Sequence, residues 1–209
     1  MLRKNFQRIC SSFSLSSARV TTAASSTTTT SVGVPLQYSG EQPNRAWRLK
    51  RFGLKHLHLE QNLSIPTIRS PNQLLIKVHS SSINPIDVLM MDGFGTVLFD
   101  QVHALKESGC SKLTYDRFPL TLGRDFAGIV LATGSQVNHV KVGDRVWGAV
   151  SPFKDGSHCD LLLTDKEEVS RMPDSISFDQ AASTPYSALT VWSALSTANI
   201  NPDNGRQKR

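Results

Sequence analysis

The stretch that decides the fold lies near the middle of the chain, at Leu122-Gly123-Arg124-Asp125-Phe126-Ala127-Gly128-Ile129-Val130-Leu131. Its second half is apolar and partly β-branched, which is typical of a buried strand. Gly128 stands inside that strand, and a strand glycine indicates close approach of another backbone, as at a barrel corner. The two glycines do not predict a phosphate-binding loop, because Arg124 and Asp125 stand where such a loop needs small residues.

Outward from this stretch, the sequence predicts several short strands separated by turn signals. The predicted strands are Trp47–Leu49, Leu57–Leu59, Gln73–His79, Asp160–Thr164 and Val169–Met172. Residues Val140–Trp147 are predicted to form a turn and another strand. Asn84 followed by Pro85 predicts the start of a short helix, and Pro185 predicts the start of another. Ser177 with Gln180 gives a capping box for a third helix. Together these patterns predict a mainly β protein with short helices, a small barrel or sandwich.

The first forty residues differ in composition from the rest. They contain four basic residues and no acid, Arg3, Lys4, Arg8 and Arg19. One face of a helix would carry the apolar residues Leu2, Phe6, Ile9 and Phe13. An amphipathic, serine-rich and acid-poor N-terminus is typical of a mitochondrial transit peptide, disordered in itself. The alternative is a disordered tail that carries no targeting information.

Charge, hydropathy and cysteine content exclude several classes of protein. The chain has 209 residues and a net charge of +6, but residues 41–209 have 19 basic against 17 acidic side chains. A body so nearly neutral has no basic stripe for nucleic acid. No run of about 18 apolar residues predicts a membrane-spanning helix. The three cysteines, Cys10, Cys110 and Cys159, are too far apart to indicate a disulfide scaffold.

Four motifs in order carry a family resemblance. They are Ser82-Ile83-Asn84-Pro85-Ile86-Asp87, Gly123-Arg124-Asp125-Phe126-Ala127-Gly128-Ile129-Val130, Val142-Gly143-Asp144-Arg145-Val146 and residues 181–192. With them the body resembles the medium-chain dehydrogenase/reductase superfamily, in its zinc-free quinone oxidoreductase branch. The leader, the Pro119–Asp125 run and the long connection before it (Gly93–Pro119, weakly helical over Val97–Leu105) are similar to a mitochondrial subgroup that has a reticulon-type protein partner.

The resemblance implies a two-part enzyme. Residues 41–175 would form a GroES-like barrel, residues 176–198 would be linker helices, and residues 199–209 would be a divergent tail. In the family, a Rossmann domain that binds NADPH follows these helices and begins with a glycine-rich loop. This sequence has no such loop after Leu195, so we expect the Rossmann domain to be absent apart from its entry helix.

The activity implied is zinc-independent hydride transfer from NADPH to a quinone or an α,β-unsaturated carbonyl. The barrel without its cofactor domain is expected to be inactive. A second hypothesis remains open, in which the chain is a non-catalytic GroES-like module that acts through binding partners.

Three residues are the candidate site, each with a structural alternative. Asn84 would place its amide in the active-site cleft, or act only as a helix N-cap. Tyr186 would donate a hydrogen bond to a developing enolate, or be a core aromatic residue. Thr190 would contact the nicotinamide of the cofactor, or bond to its own helix backbone. Asp87 is interpreted as a partner of the helix dipole rather than a base.

No metal is predicted. The zinc-dependent relatives have a cysteine where this chain has Asn84, and Gly-His-Glu at Gly123–Asp125, so two ligand types are missing. His56 and His58 are predicted on one strand face, where exposed histidines are expected more often than a metal pair. The cysteines have no neighbouring base in sequence and are expected to be unreactive. Trp147 and Trp192 are expected in the core.

Overall fold

The computed structural model describes residues 44–96, 118–198 and 200. The predicted leader, most of the connection after Gly93 and the tail from residue 201 lie outside these residues, as do Cys10 and Cys110. The predictions made for those segments therefore stay predictions.

The described residues form eight strands and three α-helices. The strands are β1 Asn44–Leu49, β2 Leu57–Leu63, β3 Gln73–Ser80, β4 Leu120–Thr121, β5 Asp125–Thr133, β6 Arg145–Ala149, β7 Leu161–Asp165 and β8 Val169–Arg171. The helices are α1 Pro85–Met91, α2 Phe178–Ala182 and α3 Pro185–Thr197, with short 3-10 turns at Leu54–His56 and Lys166–Glu168.

The strands form two sheets. Strands β2, β1 and β4 make a three-stranded sheet in that order, and β7, β3, β5, β6 and β8 make a five-stranded one. Every strand pair within the described residues is antiparallel, so they form no parallel dinucleotide-binding sheet. A bridge between Ala46 and Cys159 joins the first strand to the segment before β7. The predicted class, mainly β with short helices, is confirmed.

Strand β5 is the centre of the larger sheet, as its sequence predicts. Gly128 pairs with Val78 of β3 on one side and with Val146 of β6 on the other. A Cβ atom at Gly128 would lie 2.2 Å from the carbonyl oxygen of Lys77, so no larger residue fits without a shift of the backbone. The close backbone approach predicted from this glycine is thus present.

Four apolar clusters are buried among the described residues, and two of them fix the larger sheet and α1. The larger lies on the five-stranded sheet and contains Leu74, Ile76, Phe126, Val130, Val140, Val146, Val150, Leu162 and Val169. The smaller packs α1 against the three-stranded sheet and contains Leu49, Val88, Met90, Met91 and Leu122. Because α1 is held on one side by this second cluster, its N-terminus has a fixed position at the edge of the barrel.

Two glycines with positive φ determine where strands β5 and β6 begin. Gly123 has φ +98°, a left-handed conformation, and β5 starts after it, at Asp125. Gly143 has φ +89° in a turn where the Asp144 carboxylate accepts from the backbone N–H of Lys141 at 3.0 Å. Strand β6 starts after this turn, at Arg145, so the turn and strand predicted over Val140–Trp147 are both present.

The prediction that His56 and His58 share a strand face is wrong. His56 ends the 3-10 turn that precedes β2, and only His58 lies in the strand. Gly53 at φ +99° begins this turn, and the N–H of His56 returns to its carbonyl at 3.0 Å. The local turn thus replaces the extended backbone that alternation alone would predict.

Candidate functional site

A cluster of buried polar side chains lies at the start of α1, next to the turn before β5 and the segment before β7. Five of these side chains are almost inaccessible to solvent, with exposed fractions of 7% for Asn84, 2% for Asp87, 0% for Arg124 and Asp125, and 7% for His158. Charged side chains are rarely buried so fully unless they are paired. The cluster is therefore a specific arrangement of paired polar groups, and it is the candidate functional site.

Asn84 begins α1 as its sequence predicts. It is the N-cap, with extended backbone at φ −101° and ψ 159°, and Pro85 occupies the first helical position. Its backbone N–H donates to Asp87 Oδ2 at 2.8 Å, which is the reciprocal half of a capping box. The same carboxylate accepts from the backbone N–H of Gly123 through Oδ1 at 2.9 Å. Asp87 thus joins α1 to the turn before β5.

Asp125, the first residue of β5, is bonded through both carboxylate oxygens. Oδ2 accepts from the side-chain amide of Asn84 at 2.7 Å and from the hydroxyl of Ser82 at 2.7 Å. Oδ1 accepts from the backbone N–H of Tyr186 at 2.6 Å. One carboxylate therefore connects the barrel, the N-cap of α1 and the start of α3.

Arg124 supplies the positive charge of the cluster. Its guanidinium donates to the backbone carbonyls of Ser151 at 2.6 Å and Thr121 at 3.3 Å, and its Nε lies 3.7 Å from Asp87 Oδ1. Burial lowers the pKa of Arg124, and the neighbouring Asp87 carboxylate opposes that shift. A buried guanidinium at this position disfavours a metal cation, and the absence of a metal stays a prediction.

His158 closes the cluster on the side of β7. Its Nε2 lies 3.1 Å from the carbonyl oxygen of Ser82, and because a carbonyl only accepts, this nitrogen carries the proton. Burial lowers the pKa of His158, so the ring is neutral at physiological pH. The ring also limits space, since a Cβ atom at Gly123 would lie 2.5 Å from it.

The other two predicted site residues lie on α3. Tyr186 is half-buried at the second helical position, next to the carboxylate of Asp125. Thr190 is exposed, and its hydroxyl donates to the backbone carbonyl of Tyr186 at 2.8 Å. The backbone-bonded alternative for Thr190 is thus realised in the structure. The catalytic and cofactor roles assigned to Asn84, Tyr186 and Thr190 stay predictions.

Beyond its first turn, α3 is exposed on an apolar face. The exposed fractions are 57% for Leu189, 58% for Val191 and 61% for Trp192. The expectation that Trp192 lies in the core is wrong within the described residues, because no other element covers this part of the helix. Trp147, by contrast, is half-buried against the cluster of Ala127, Met172, Ala181 and Ala182.

The described residues offer few groups that could bind a metal ion or the phosphates of a cofactor. Among the described residues, no group of three or more His, Cys, Asp or Glu side chains could hold a metal ion. Cys159 is a weak candidate for reactivity, since burial raises the pKa of its thiol. Gly123 and Gly128 are packed inside the barrel and leave no space for a phosphate. Neither of these two glycines in the described barrel therefore forms a cradle for phosphates.

The fold and this arrangement define a class of protein. The model of the alcohol dehydrogenase GroES-like domain matches residues 70–192, which include the polar cluster and most of α3. The chain belongs to this family and, through it, to the medium-chain dehydrogenase/reductase superfamily. The quinone oxidoreductase resemblance seen in the sequence is confirmed at this level.

Individual relatives agree with that assignment. A bovine protein (Bos taurus) named NAD(P)H oxidoreductase RTN4IP1, mitochondrial, is 42% identical over 170 residues, which are 78% of this chain and 41% of the relative. Reticulon-4-interacting protein 1, mitochondrial, of Caenorhabditis elegans is 34% identical over 149 residues, 71% of this chain and 40% of the relative. The chain thus spans about two fifths of the length of these curated relatives.

A solved structure supports the fold. The quinone oxidoreductase of Coxiella burnetii superposes with a TM-score of 0.62 at 34% identity, covering 76% of this chain and 46% of that one. The mitochondrial location predicted from the sequence is confirmed by the names of the curated relatives, whereas the leader itself lies outside the described residues. None of the described helices is long and apolar enough to cross a membrane.

Asp125 and His158 are the two site residues that the sequence did not identify. The sequence analysis assigns Asp125 neither to a phosphate loop nor to a metal site, and its hydrogen bonds come from residues 41 to 61 positions away in the chain. A signal was nevertheless present, because a charged residue opening an apolar strand requires partners. For His158 the sequence contains no comparable signal.

Proposed function

We propose that the chain is the barrel part of an NADPH-dependent oxidoreductase that reduces a quinone or an α,β-unsaturated carbonyl without zinc. The family assignment and the name of the bovine relative support the class of reaction. The single observation that carries the proposal is the convergence of Asn84, Asp125 and Tyr186 at one end of the barrel. The predicted site residues are Asn84 at the start of α1 and Tyr186 and Thr190 on α3. The carboxylate of Asp125 is bonded to the starts of both helices.

Chemically, bound NADPH would supply the hydride, and the substrate oxygen would gain negative charge and then a proton. The residues of this chain would orient the reactants rather than form covalent bonds. Asn84 would hold a polar group or a water by its amide, and the phenol of Tyr186 would stabilise charge on the substrate oxygen. Thr190, which is exposed one helical turn beyond Tyr186, would contact the nicotinamide.

The cofactor would be bound mainly by a longer form of the protein. The curated relatives are more than twice as long as the matched region, and the described residues provide no phosphate cradle. We propose that the additional length contains a Rossmann domain, which packs on the exposed apolar face of α3. The 209-residue chain alone is then inactive.

Location and partners follow the relatives. We propose that residues 1–40 act as a transit peptide that directs the protein to mitochondria. The worm relative is named for its interaction with reticulon-4, and a reticulon-type protein is therefore a proposed partner. No nucleic-acid partner is proposed, because the body beyond residue 40 is nearly neutral.

The alternative, a non-catalytic binding module, has one observation in its favour. The apolar face of α3 is exposed and could bind another protein. The two functions are separated by assaying NADPH-dependent quinone reduction in a form that extends through the additional length of the relatives. We expect turnover in the extended form and none in the 209-residue chain, whereas inactivity of both would contradict the enzymatic proposal.

A further inference from the structure

We propose that Asp125 is a positioning residue, which turns the amide of Asn84 so that its nitrogen faces the barrel and which fixes the start of α3. The proposal deepens the function proposed above and rests on it in its kinetic test. A separate test on the 209-residue chain does not depend on that function.

The first observation is that the Asp125 carboxylate is completely buried and surrounded by donors. Its exposed fraction is 0%, and it accepts from Asn84 Nδ2 and Ser82 Oγ, each at 2.7 Å, and from the N–H of Tyr186 at 2.6 Å. Hydrogen bonds to an ionised acceptor are about twice as strong as those between neutral groups. The geometry of all three partners is therefore set by one group.

The second observation concerns the direction of the Asn84 amide. An ionised carboxylate only accepts hydrogen bonds, so the amide end that faces it has to be the NH2 group. The same nitrogen lies 3.2 Å from Ser82 Oγ. The carbonyl oxygen of Asn84 consequently points away from Asp125, on the side of the backbone N–H of Asp87 that forms the other half of the capping box, and it keeps a second lone pair as an acceptor. In the proposed enzyme, Asn84 would bind an N–H or O–H donor such as a water or a carboxamide, and not the carbonyl oxygen of a quinone.

The third observation is that a backbone N–H in the first turn of α3 donates to a side chain of the barrel. The N-cap residue Thr184 makes no side-chain capping bond, and Asp125 accepts instead from Tyr186 at the second helical position. A negative charge is also favourable at this end of a helix. Tyr186 and Thr190 lie on this helix, four residues apart and therefore on one face. Asp125 thus sets the positions of all three candidate site residues.

A purely structural carboxylate would give the same contacts, so the test has to separate the two roles. In ¹⁵N-labelled 209-residue chain, we expect slow exchange of the Asn84 side-chain protons and the Tyr186 amide proton, measured against the exposed side chain of Asn62. Asp125→Asn offers one acceptor and one NH2 group in place of two acceptors. At least one of the two sites should then exchange about fivefold or more faster, while Val130 in β5 stays protected.

Ser81→Ala is the matched control, because the Ser81 hydroxyl donates to the backbone carbonyl of Asp125 at 2.8 Å and not to its carboxylate. It should leave Asn84 and Tyr186 within about twofold of the wild type. If Asp125→Asn does not fold, Asn84→Ala serves instead and should displace the Tyr186 amide resonance through the shared carboxylate. Unchanged protection in Asp125→Asn, or an undisplaced Tyr186 resonance in Asn84→Ala, would overturn the proposal.

The kinetic test uses the extended form of the protein. Asp125→Asn should lower kcat by about tenfold to a hundredfold, because misplaced reacting groups slow the chemical step, and should raise the KM for NADPH by a smaller factor through Thr190 on α3. Combined with Asn84→Ala, it should lower kcat by clearly less than the product of the two single losses, since Asp125 acts in part through Asn84. An unchanged kcat in a folded variant, or fully additive losses, would show that the carboxylate is only structural. If the wild type is inactive, the proposed function fails, and the exchange test still decides the placement of Asn84.

Discussion

The five-stranded sheet and helix α3 are adjacent in the structure but differ in how they are stabilised. Leu74, Ile76 and Phe126 of the sheet have an exposed fraction of 0%, whereas Val191 and Trp192 of α3 are more than half exposed. The helix is attached at its start, where Pro185 is buried and the N–H of Tyr186 bonds to Asp125. The sheet is thus stable through its own core, and α3 depends on a few contacts at one end.

The difference separates residues that stabilise the barrel from residues of α3 that contribute little to its stability. Burial of apolar surface stabilises a protein by roughly 25 cal/mol for each Å². The exposed apolar face of α3 contributes none of this free energy within the described residues. At the other end of the same helix, the buried carboxylate of Asp125 accepts hydrogen bonds through both of its oxygens. The contrast is what we expect of a barrel whose last helix leads into a further domain, and each prediction below tests one side of it.

The largest expected effect is the loss of an aromatic ring from the sheet. Phe126→Ala should lower the free energy of unfolding by about 3–5 kcal/mol, because it leaves a cavity in the larger cluster. Trp192→Ala removes a larger side chain, but from the exposed face of α3, and should change the free energy of unfolding by less than about 0.5 kcal/mol. Urea denaturation of both variants measures these two free energies. Equal losses would show that α3 is part of the same core.

A smaller but still large effect is expected from the buried ion pair. Asp87→Ala removes the carboxylate beside the buried guanidinium of Arg124 and should cost about 3 kcal/mol, because a buried charge is left without its partner. Asp92→Ala, at the exposed C-terminus of the same helix, is the matched control and should cost less than about 0.5 kcal/mol. Similar thermal shifts for the two variants would contradict the role assigned to Asp87.

The pH dependence of stability should reveal the buried histidine. Burial lowers the pKa of His158, and of His79, below the ordinary value of 6.5. The unfolded chain therefore takes up these protons first as the pH falls. The free energy of unfolding should therefore have its full value above about pH 6.5. Below that pH it should decline by at most about 1.4 kcal/mol per pH unit for each group.

His158→Gln should flatten that decline in urea titrations between neutral and mildly acidic pH. His58→Gln is the control, because His58 is exposed on β2, and it should keep the wild-type slope. A slope that His158→Gln leaves unchanged would mean that other groups cause the acid sensitivity.

The smallest effect is expected at Thr190. Its hydroxyl bonds only to its own helix backbone and is exposed, so Thr190→Ala should change the stability of the 209-residue chain by less than about 0.5 kcal/mol. In the extended form the same change should raise the KM for NADPH, if the proposed contact with the nicotinamide exists. Equal KM values for the variant and the wild type would remove Thr190 from the site.

Much of the fold was predictable because its signals are local. The apolar run of β5, the Asn-Pro start of α1 and the capping box at Ser177 each depend on neighbouring residues, and all three lie where the sequence places them. The strand predicted through His56 was wrong, because Gly53 with positive φ begins a 3-10 turn there that hydropathy alternation does not indicate.

The candidate site was less predictable, since its bonds join distant parts of the chain. The contact between Asn84 and Asp125 spans 41 residues, and that between Tyr186 and Asp125 spans 61. No local pattern indicates which donors meet a carboxylate at the start of a strand. The family resemblance identified Asn84 and Tyr186 as candidates, but only the folded barrel shows the group that connects them.

The central proposal is that the described residues supply the barrel side of an NADPH site, and that the phosphate-binding side belongs to the additional length of the relatives. Fluorescence titration of the purified 209-residue chain with NADPH tests it most directly. Losing three charge-assisted bonds to the phosphates, at roughly 1.5–3 kcal/mol each, would weaken a micromolar affinity to millimolar or beyond. We therefore predict no saturable binding by this chain and micromolar binding by the extended form. Saturable micromolar binding by the 209-residue chain itself would contradict the account.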